Sequence, residues 1–213
     1  MTGDGLLALS IQMLVGVCLA ACCGLRAFLP PFVFGLAVRL GLDELVLGQP
    51  VELHSAFEWM SSTPALVVFG VAVLAEFSAD KFPVVDHALD LVQTAVRPLA
   101  GMLVAAASLS DLDPLPAAVV GLLVGGSVAT SVHVVKSQVR VVSTLGTGGL
   151  ATPVVSLVED AVALVGSILA VTAALIAAVL LLAALLVGLS LMRAARRRAR
   201  DSGARLATGQ AAR

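Results

Sequence analysis

Long apolar stretches alternate along the chain with short breaks that are polar or rich in glycine and proline. Leu6–Leu25, Pro64–Phe77 and Ala117–Val132 each have the length and composition of a membrane-spanning helix or most of one. The residues before the first stretch include Asp4 and no Lys or Arg, whereas a secretory signal begins with positive charge. The pattern therefore predicts several spans, the first of them uncleaved.

The last apolar stretch, Ala161–Met192, contains 32 residues without a charge. A helix of that length would extend ~48 Å, well beyond a hydrocarbon core of ~30 Å. We expect it to tilt, to protrude from the bilayer, or to break near Gly166 and Ser167, and the pattern does not choose among these.

Two Pro- or Gly-rich segments interrupt the apolar pattern. Pro30 and Pro31 follow the first span, and the apolar stretch after them, Phe32–Leu40, is too short to cross. Proline lacks an N–H donor and forces the preceding residue towards extended geometry. Such irregular backbone persists at membrane depth only when it is buried in protein or lines a wet cavity. The chain therefore has two broken and possibly re-entrant segments, the second around residues 145–158.

The two halves of the chain have similar layouts. Residues 6–80 and 117–192 each contain a span, a broken segment and a span, with residues 84–110 linking them. Matched interruptions in two halves are typical of inverted-repeat transporters, although glycines and prolines can also be spaced this way by chance. We expect one integral-membrane domain over residues 1–192 and a disordered basic tail over residues 193–213.

Composition and charge agree with this pattern. Of the 213 residues, 59% are apolar and 13% charged, and the mean hydropathy is +1.05, which excludes an ordinary soluble domain. The tail carries seven Arg against Asp201 alone, whereas the preceding residues carry six basic and thirteen acidic side chains. An Arg cluster beside a membrane exit predicts a cytoplasmic C-terminus. The tail lacks the aromatic pattern of nucleic-acid binding, so we expect no nucleic-acid partner.

The remaining charges lie in or near the membrane, in clusters beside the breaks. A charged side chain at mid-bilayer costs ~2.5–3.5 kcal/mol on insertion scales, so these residues need partners or a wet site. The candidate ion- or substrate-binding residues are Arg26, Glu76, Asp80, Lys81, Asp86, Asp90, Arg97, His133, Lys136, Arg140, Glu159 and Asp160, and the candidate backbone breaks are Pro30, Pro31, Pro83, Pro98, Gly148, Gly149 and Pro153.

Three interpretations of these charges remain open. They could be structural ion pairs that lock the bundle. The carboxylates, Glu76, Asp80, Asp86 and Asp90, could form a path for a cation or proton, because hard cations prefer oxygen ligands. Alternatively Arg26, Lys136 and Arg140, beside broken helices, could hold an anion or a phosphate headgroup.

Enzymatic motifs are missing from the sequence. It contains no HExxH, no GxSxG and no Walker loop, and the pair Asp80 and Asp86 is the only feature in favour of an intramembrane aspartyl hydrolase. We therefore predict no enzymatic activity and no cofactor, and the sequence does not identify a metal.

The joint pattern of charges and prolines resembles an uncharacterised bacterial and plastid membrane family, domain of unknown function 4126, over residues 6–189. This resemblance implies a multi-span membrane protein of unassigned activity. The residues that carry it are Gly24-Leu25-Arg26-Ala27-Phe28-Leu29-Pro30-Pro31, Glu76, Asp80, Lys81, Pro83, Asp86, Asp90, Arg97-Pro98, Gly101, His133, Lys136, Arg140, Pro153, Ser156 and Glu159-Asp160.

The sequence therefore predicts an all-α, polytopic transmembrane bundle of five or six passes in the bacterial cytoplasmic membrane. Its predicted function is transport of a small charged solute, with a cation or proton favoured over an anionic lipid headgroup. The alternative is a non-catalytic structural or assembly protein whose charges only pair helices. The expected partners are the lipid bilayer and the ion, proton or headgroup, and a homo-oligomer is compatible with this prediction.

Overall fold

The computed structural model describes residues 3–41, 53–79, 83–148, 152–172, 183, 186–190 and 192–194, with side chains omitted at residues 3, 4, 79, 83–91 and 152. These residues contain no strand, and the all-α prediction is confirmed. The main helices are α1 (Gly3–Leu25), α2 (Leu29–Leu40), a 3-10 helix (Ser55–Ser61), α3 (Thr63–Ala79), α4 (Pro83–Ala107), α5 (Pro114–Thr147) and α6 (Thr152–Thr172).

Three helices are long and apolar enough to cross a membrane: Gly5–Leu25 within α1, Pro114–Thr147, which is α5, and Pro153–Thr172 within α6. A fourth candidate is the pair Ser55–Ser61 and Thr63–Ser78, which is bent by 64°. Large apolar side chains point outwards from these helices, as lipid contact requires. The described residues thus have three or four candidate spans, against the expected five or six for the whole chain.

Helices α2 and α3 lie antiparallel beside the end of α1. A Cβ built on Gly35 would lie 2.5 Å from the carbonyl oxygen of Met60, in the 3-10 helix just before α3, and Gly70 of α3 faces Phe32. At the far end Glu76 reaches the backbone of Ala27. The chain therefore reverses direction immediately after α1, and α3 returns to the point of reversal.

Glycines bring α4 and α5 into close contact. A Cβ on Gly101 would lie 2.6 Å from the carbonyl oxygen of Gly125, and one on Gly121 would lie 2.7 Å from that of Met102. The contact coincides with a π-helical turn, Gly121–Gly126, within α5. Close packing of small residues is a general means of joining helices in membranes.

The helices lack the break expected at Pro98 and also the break near Gly166 and Ser167, which is one of three alternatives for the last apolar stretch. Helix α4 continues through Pro98, because a proline inside a membrane helix is tolerated where a neighbouring helix supports the backbone. A Cβ on Gly126 of α5 would lie 3.5 Å from the Pro98 carbonyl oxygen, so α5 packs at this level. Helix α6 likewise runs unbroken past Gly166 and Ser167, where the Ser167 hydroxyl donates back to the Ala163 carbonyl.

The two halves differ in the layout of their described helices. In the first half the short helix α2 lies between the break and the next long helix, whereas in the second half α5 and α6 are separated only by residues 148–151. Gly148, at φ +62°, ends α5, and Pro153 lies in the first turn of α6. The inverted repeat therefore stays a prediction.

Candidate functional site

The break between α1 and α2 is the centre of the candidate site. Pro30 and Pro31 occupy the first turn of α2. The N–H groups in the first turn of a helix have no acceptor within the helix, and proline has no N–H group that would need one. The N–H groups of Ala27 and Phe28 donate to the carboxylate oxygens of Glu76 on α3, at 3.0 and 3.4 Å. Glu76 therefore satisfies the backbone on the α2 side of the break.

Lys136 of α5 satisfies the other side of the break. Its ammonium group donates to the carbonyl oxygen of Leu25, the last residue of α1, at 2.7 Å. The same nitrogen lies 3.1 Å from Glu159 Oε2 on α6. The last carbonyl groups of a helix accept no hydrogen bond within the helix and carry partial negative charge, so a cation beside them is stabilising.

Arg26 lies in the break itself and is 1% exposed. Its guanidinium forms an ion pair with Asp160 of α6 and donates to Ser156 Oγ at 3.3 Å and to the main-chain carbonyl of Glu76 at 3.4 Å. The ring of Phe77 covers it, 5.2 Å from Cζ. One side chain thus joins the break to both α3 and α6.

Arg140 completes the ionic contacts on the α5–α6 side. Its Nη2 lies 2.9 Å from Glu159 Oε2 and 3.3 Å from Ser156 Oγ. Glu159 Oε2 therefore accepts from two cations, Lys136 and Arg140. With Arg26, these residues form a polar cluster of three cations and three carboxylates whose formal charges balance: Arg26, Glu76, Lys136, Arg140, Ser156, Glu159 and Asp160.

The polar cluster lies at the junction of α1 and α2, well within the lengths of α5 and α6. Lys136 is eleven residues before the end of α5 at Thr147, ~16 Å along the axis, and Asp160 is eight residues after the start of α6 at Thr152, ~12 Å along it. Helices α5 and α6 therefore extend past the point where α1 stops. Ionisable groups buried among packed helices are costly unless they are paired and hydrogen-bonded, as these are.

A second polar group on α4 and α5 lies next to the cluster. The Arg97 guanidinium contacts Gln93 Oε1, one helical turn away on α4, and His133 Nδ1 on α5. The other ring nitrogen of His133 lies 3.3 Å from Thr94 Oγ1. A guanidinium group can only donate, so Nδ1 is the acceptor in the contact with Arg97. Arg97 also interacts electrostatically with Lys136, so the two groups belong to one charged region.

The structure brings together eight of the twelve candidate residues. Six form the polar cluster, and Arg97 and His133 form the adjacent group. Asp80, Lys81 and the candidate break Gly149 lie outside the described residues, as do the side chains of Asp86 and Asp90, although both residues are in α4 with Pro83 as its first residue. Within the described part of the chain, no group of three or more His, Cys, Asp or Glu side chains could hold a metal ion.

Sequence reasoning missed three partners in these contacts: Ser156, Gln93 and Thr94 as ligands of the charged side chains. Ser156 precedes Glu159 and Asp160 by three and four residues, which places it on their helix face. That spacing was a usable signal. The backbone groups of residues 25, 27 and 28 carry no side-chain signal of their own.

The chain matches the model of one protein family. The family model of domain of unknown function DUF4126 matches residues 13–194. The chain belongs to this family. No curated protein and no solved structure matches it. In this DUF4126 protein the matched residues include the whole polar cluster, and the family has no assigned activity.

Proposed function

We propose that this DUF4126 protein is a carrier that moves a small charged solute across the bilayer, with a cation or proton favoured. The observation that supports this is the polar cluster itself: six balanced ionisable side chains that meet where the chain reverses between α1 and α2, among apolar helices. Broken helices whose ends face a charged site are typical of secondary transporters. Ion pairing alone explains the charges but gives no reason for the break beside them.

The arrangement of Glu159 supports a proton or cation ahead of an anion. Its Oε2 atom holds Lys136 and Arg140 together. Protonation of this one carboxylate would remove the charge that binds both cations, so a single proton can rearrange contacts between α5 and α6. Intramembrane carboxylates in pumps and transporters commonly act as such proton relays. The proposal includes no enzymatic step, no cofactor and no nucleic acid.

For the setting of this activity, we propose the bacterial cytoplasmic membrane with the C-terminus in the cytoplasm. The support is the excess of Arg in residues 193–213, seven against one Asp, because basic residues next to a span favour the cytoplasmic side.

Purified protein in liposomes tests the proposal. Internal dyes for protons, Na⁺ and K⁺ report flux, and Glu159→Gln and Arg140→Gln are each expected to reduce it to the level of empty liposomes. Glu58→Gln and Arg39→Gln are matched controls, because both residues are exposed and lie outside the polar cluster. Both control variants should transport at the wild-type rate. A wild-type protein that moves no metal ion, proton or labelled lipid would contradict a carrier function.

Transfer of an anionic lipid headgroup is the second candidate function. Arg26 and Arg140 both donate to Ser156 Oγ at 3.3 Å, so two guanidinium groups and a hydroxyl converge on one point. This combination suits a phosphate, which arginine binds through paired N–H donors. The same liposomes with a fluorescent anionic lipid distinguish the two functions, since headgroup transfer predicts movement of label between leaflets without ion flux.

A further inference from the structure

The ammonium group of Lys136 occupies a position that resembles a cation site. Its two oxygen neighbours are a main-chain carbonyl at the end of a helix, Leu25 O at 2.7 Å, and a carboxylate, Glu159 Oε2 at 3.1 Å. The side chain comes from α5, a different helix from either oxygen, and Lys136 is only 5% exposed. Carbonyls at the ends of broken helices, together with acidic groups, are the ligands that bind coupling cations in transporters.

The charges around Lys136 oppose a further cation at this position, so its two oxygen ligands must hold it there. Lys136 interacts electrostatically with three other cations, Arg26, Arg97 and Arg140, and with the carboxylate of Glu159. Three like charges would expel a fourth unless its own ligands compensated. Arg140 already pairs with Glu159 at 2.9 Å, so Lys136 is not needed to neutralise that carboxylate. The Leu25 carbonyl at the end of α1 must therefore help to hold the Lys136 ammonium group.

We propose that the end of α1 is a monovalent-cation site that the chain fills with its own ammonium group, Lys136 Nζ. A lysine head is a compact point charge with three donors, so ammonium or K⁺ matches it more closely than a divalent or bulky organic cation. The inference rests on the proposed function for its physiological meaning: at this one position a side chain takes the place of a bound cation.

The consequence is that removal of the side chain vacates a site for a free ion. Lys136→Ala leaves the Leu25 carbonyl and the Glu159 carboxylate without the ammonium group. A ligand that binds the folded form stabilises it by an amount that grows with the logarithm of its concentration. Each tenfold increase in ammonium above its dissociation constant should therefore raise the unfolding midpoint of this variant by roughly 3–5 °C.

Thermal unfolding in detergent tests this directly. Wild type, Lys136→Ala and the double variant Lys136→Ala with Glu159→Gln are compared in choline, sodium, potassium and ammonium chloride at equal ionic strength. We expect Lys136→Ala to unfold at lower temperature than wild type in choline and to recover in ammonium or potassium. Wild type should respond equally to all four salts. The double variant lacks the anionic ligand and should not recover.

A Lys136→Ala variant that responds to ammonium and potassium no more than to choline overturns the inference. Expression and purification in ammonium chloride guard against a failure to fold, and Lys136→Ser provides a second, more polar variant. If neither variant can be recovered folded with ammonium present, the site does not accept a free cation and the inference fails. Because the measurement is stability, it can fail while carrier activity holds, or succeed while wild-type liposomes show no flux.

Discussion

Glu76 is the residue on which the geometry of the break depends. It is 1% exposed, and its carboxylate accepts N–H groups of Ala27 and Phe28. From the sequence, Glu76 and Asp80 are four residues apart, a spacing that would put two like charges on one helix face and favours a lysine or arginine as partner. Instead the carboxylate binds backbone, and the contact from Arg26 goes to the Glu76 main-chain carbonyl. A buried N–H group without an acceptor is costly, so this carboxylate is an integral part of the chain reversal.

Replacement of Glu76 should therefore destabilise the fold. We expect Glu76→Ala to lower the free energy of unfolding by on the order of 2–4 kcal/mol, because two buried N–H groups lose their acceptor. Glu76→Gln keeps one oxygen and should lose about half as much. SDS titration of detergent-solubilised protein, followed by circular dichroism, measures both. The exposed Glu58→Ala is the matched control, and equal losses at positions 58 and 76 would contradict this role.

At this scale the sequence identifies the charged residues but not all of their partners. Six of the candidates meet in the polar cluster because charges in an apolar bundle must find one another or a polar site. The contacts of Lys136 with the Leu25 carbonyl and of Glu76 with backbone amides were not predictable. Main-chain groups are the same at every residue, and only the three-dimensional position of a break determines which of them needs a partner.

Among the helices, the contact between α4 and α5 is the one that most restricts side-chain size. The π-helical turn Gly121–Gly126 packs glycines against Gly101 and Met102. Arg97 and His133 meet one to two turns further along the same helix pair. The close approach of the two backbones therefore sets the distance across which the second polar group forms.

A methyl group in this contact should be poorly tolerated. We expect Gly101→Ala to lower the free energy of unfolding by about 1–3 kcal/mol, because its Cβ would lie 2.6 Å from both Gly125 O and Ala129 Cβ. The control is Gly146→Ala near the end of α5, where nothing lies within 4 Å. There alanine should stabilise by roughly 0.5–1 kcal/mol through helix propensity. Opposite signs in the same SDS titration support the packing, whereas two stabilising changes would contradict it.

The sequence predicts where helices end at prolines and polar residues, but it does not predict where a helix continues through such a residue. The end of α1 before Arg26 and the turn before Pro114 follow from prolines and polar residues in the sequence. Pro98 is an equally strong local signal, yet α4 continues through it. The difference comes from tertiary contacts. At Pro98, α5 packs against α4 and the helix continues, whereas near Pro30 the side chains of Glu76 and Lys136 bind the backbone groups that the end of the helix leaves free.

Across the whole molecule, the helix contacts separate two ends of the bundle. Gln12, in the first half of α1, bonds to Ser110 in the turn before α5, so this turn lies beside the first half of α1 and far from the break at its end. The far end of α5 reaches Thr147 after 34 residues. At ~1.5 Å per residue α5 extends ~51 Å, longer than a ~30 Å hydrocarbon core. Its two ends must then lie on opposite sides of a membrane that it crosses.

Labelling of single cysteines tests that arrangement. Asp113→Cys and Gly146→Cys each place a thiol at an exposed position near one end of α5. The native thiols of Cys18, Cys22 and Cys23 are at most 2% exposed and should not react, so unsubstituted protein is the control. We expect a membrane-impermeant maleimide to label one variant in intact cells and the other only in inverted vesicles. Labelling of both variants from the same side would mean that α5 does not cross the membrane. The polar cluster would then lie at the membrane surface, where its charges carry no insertion cost. In that case the carrier function would lose its physical basis.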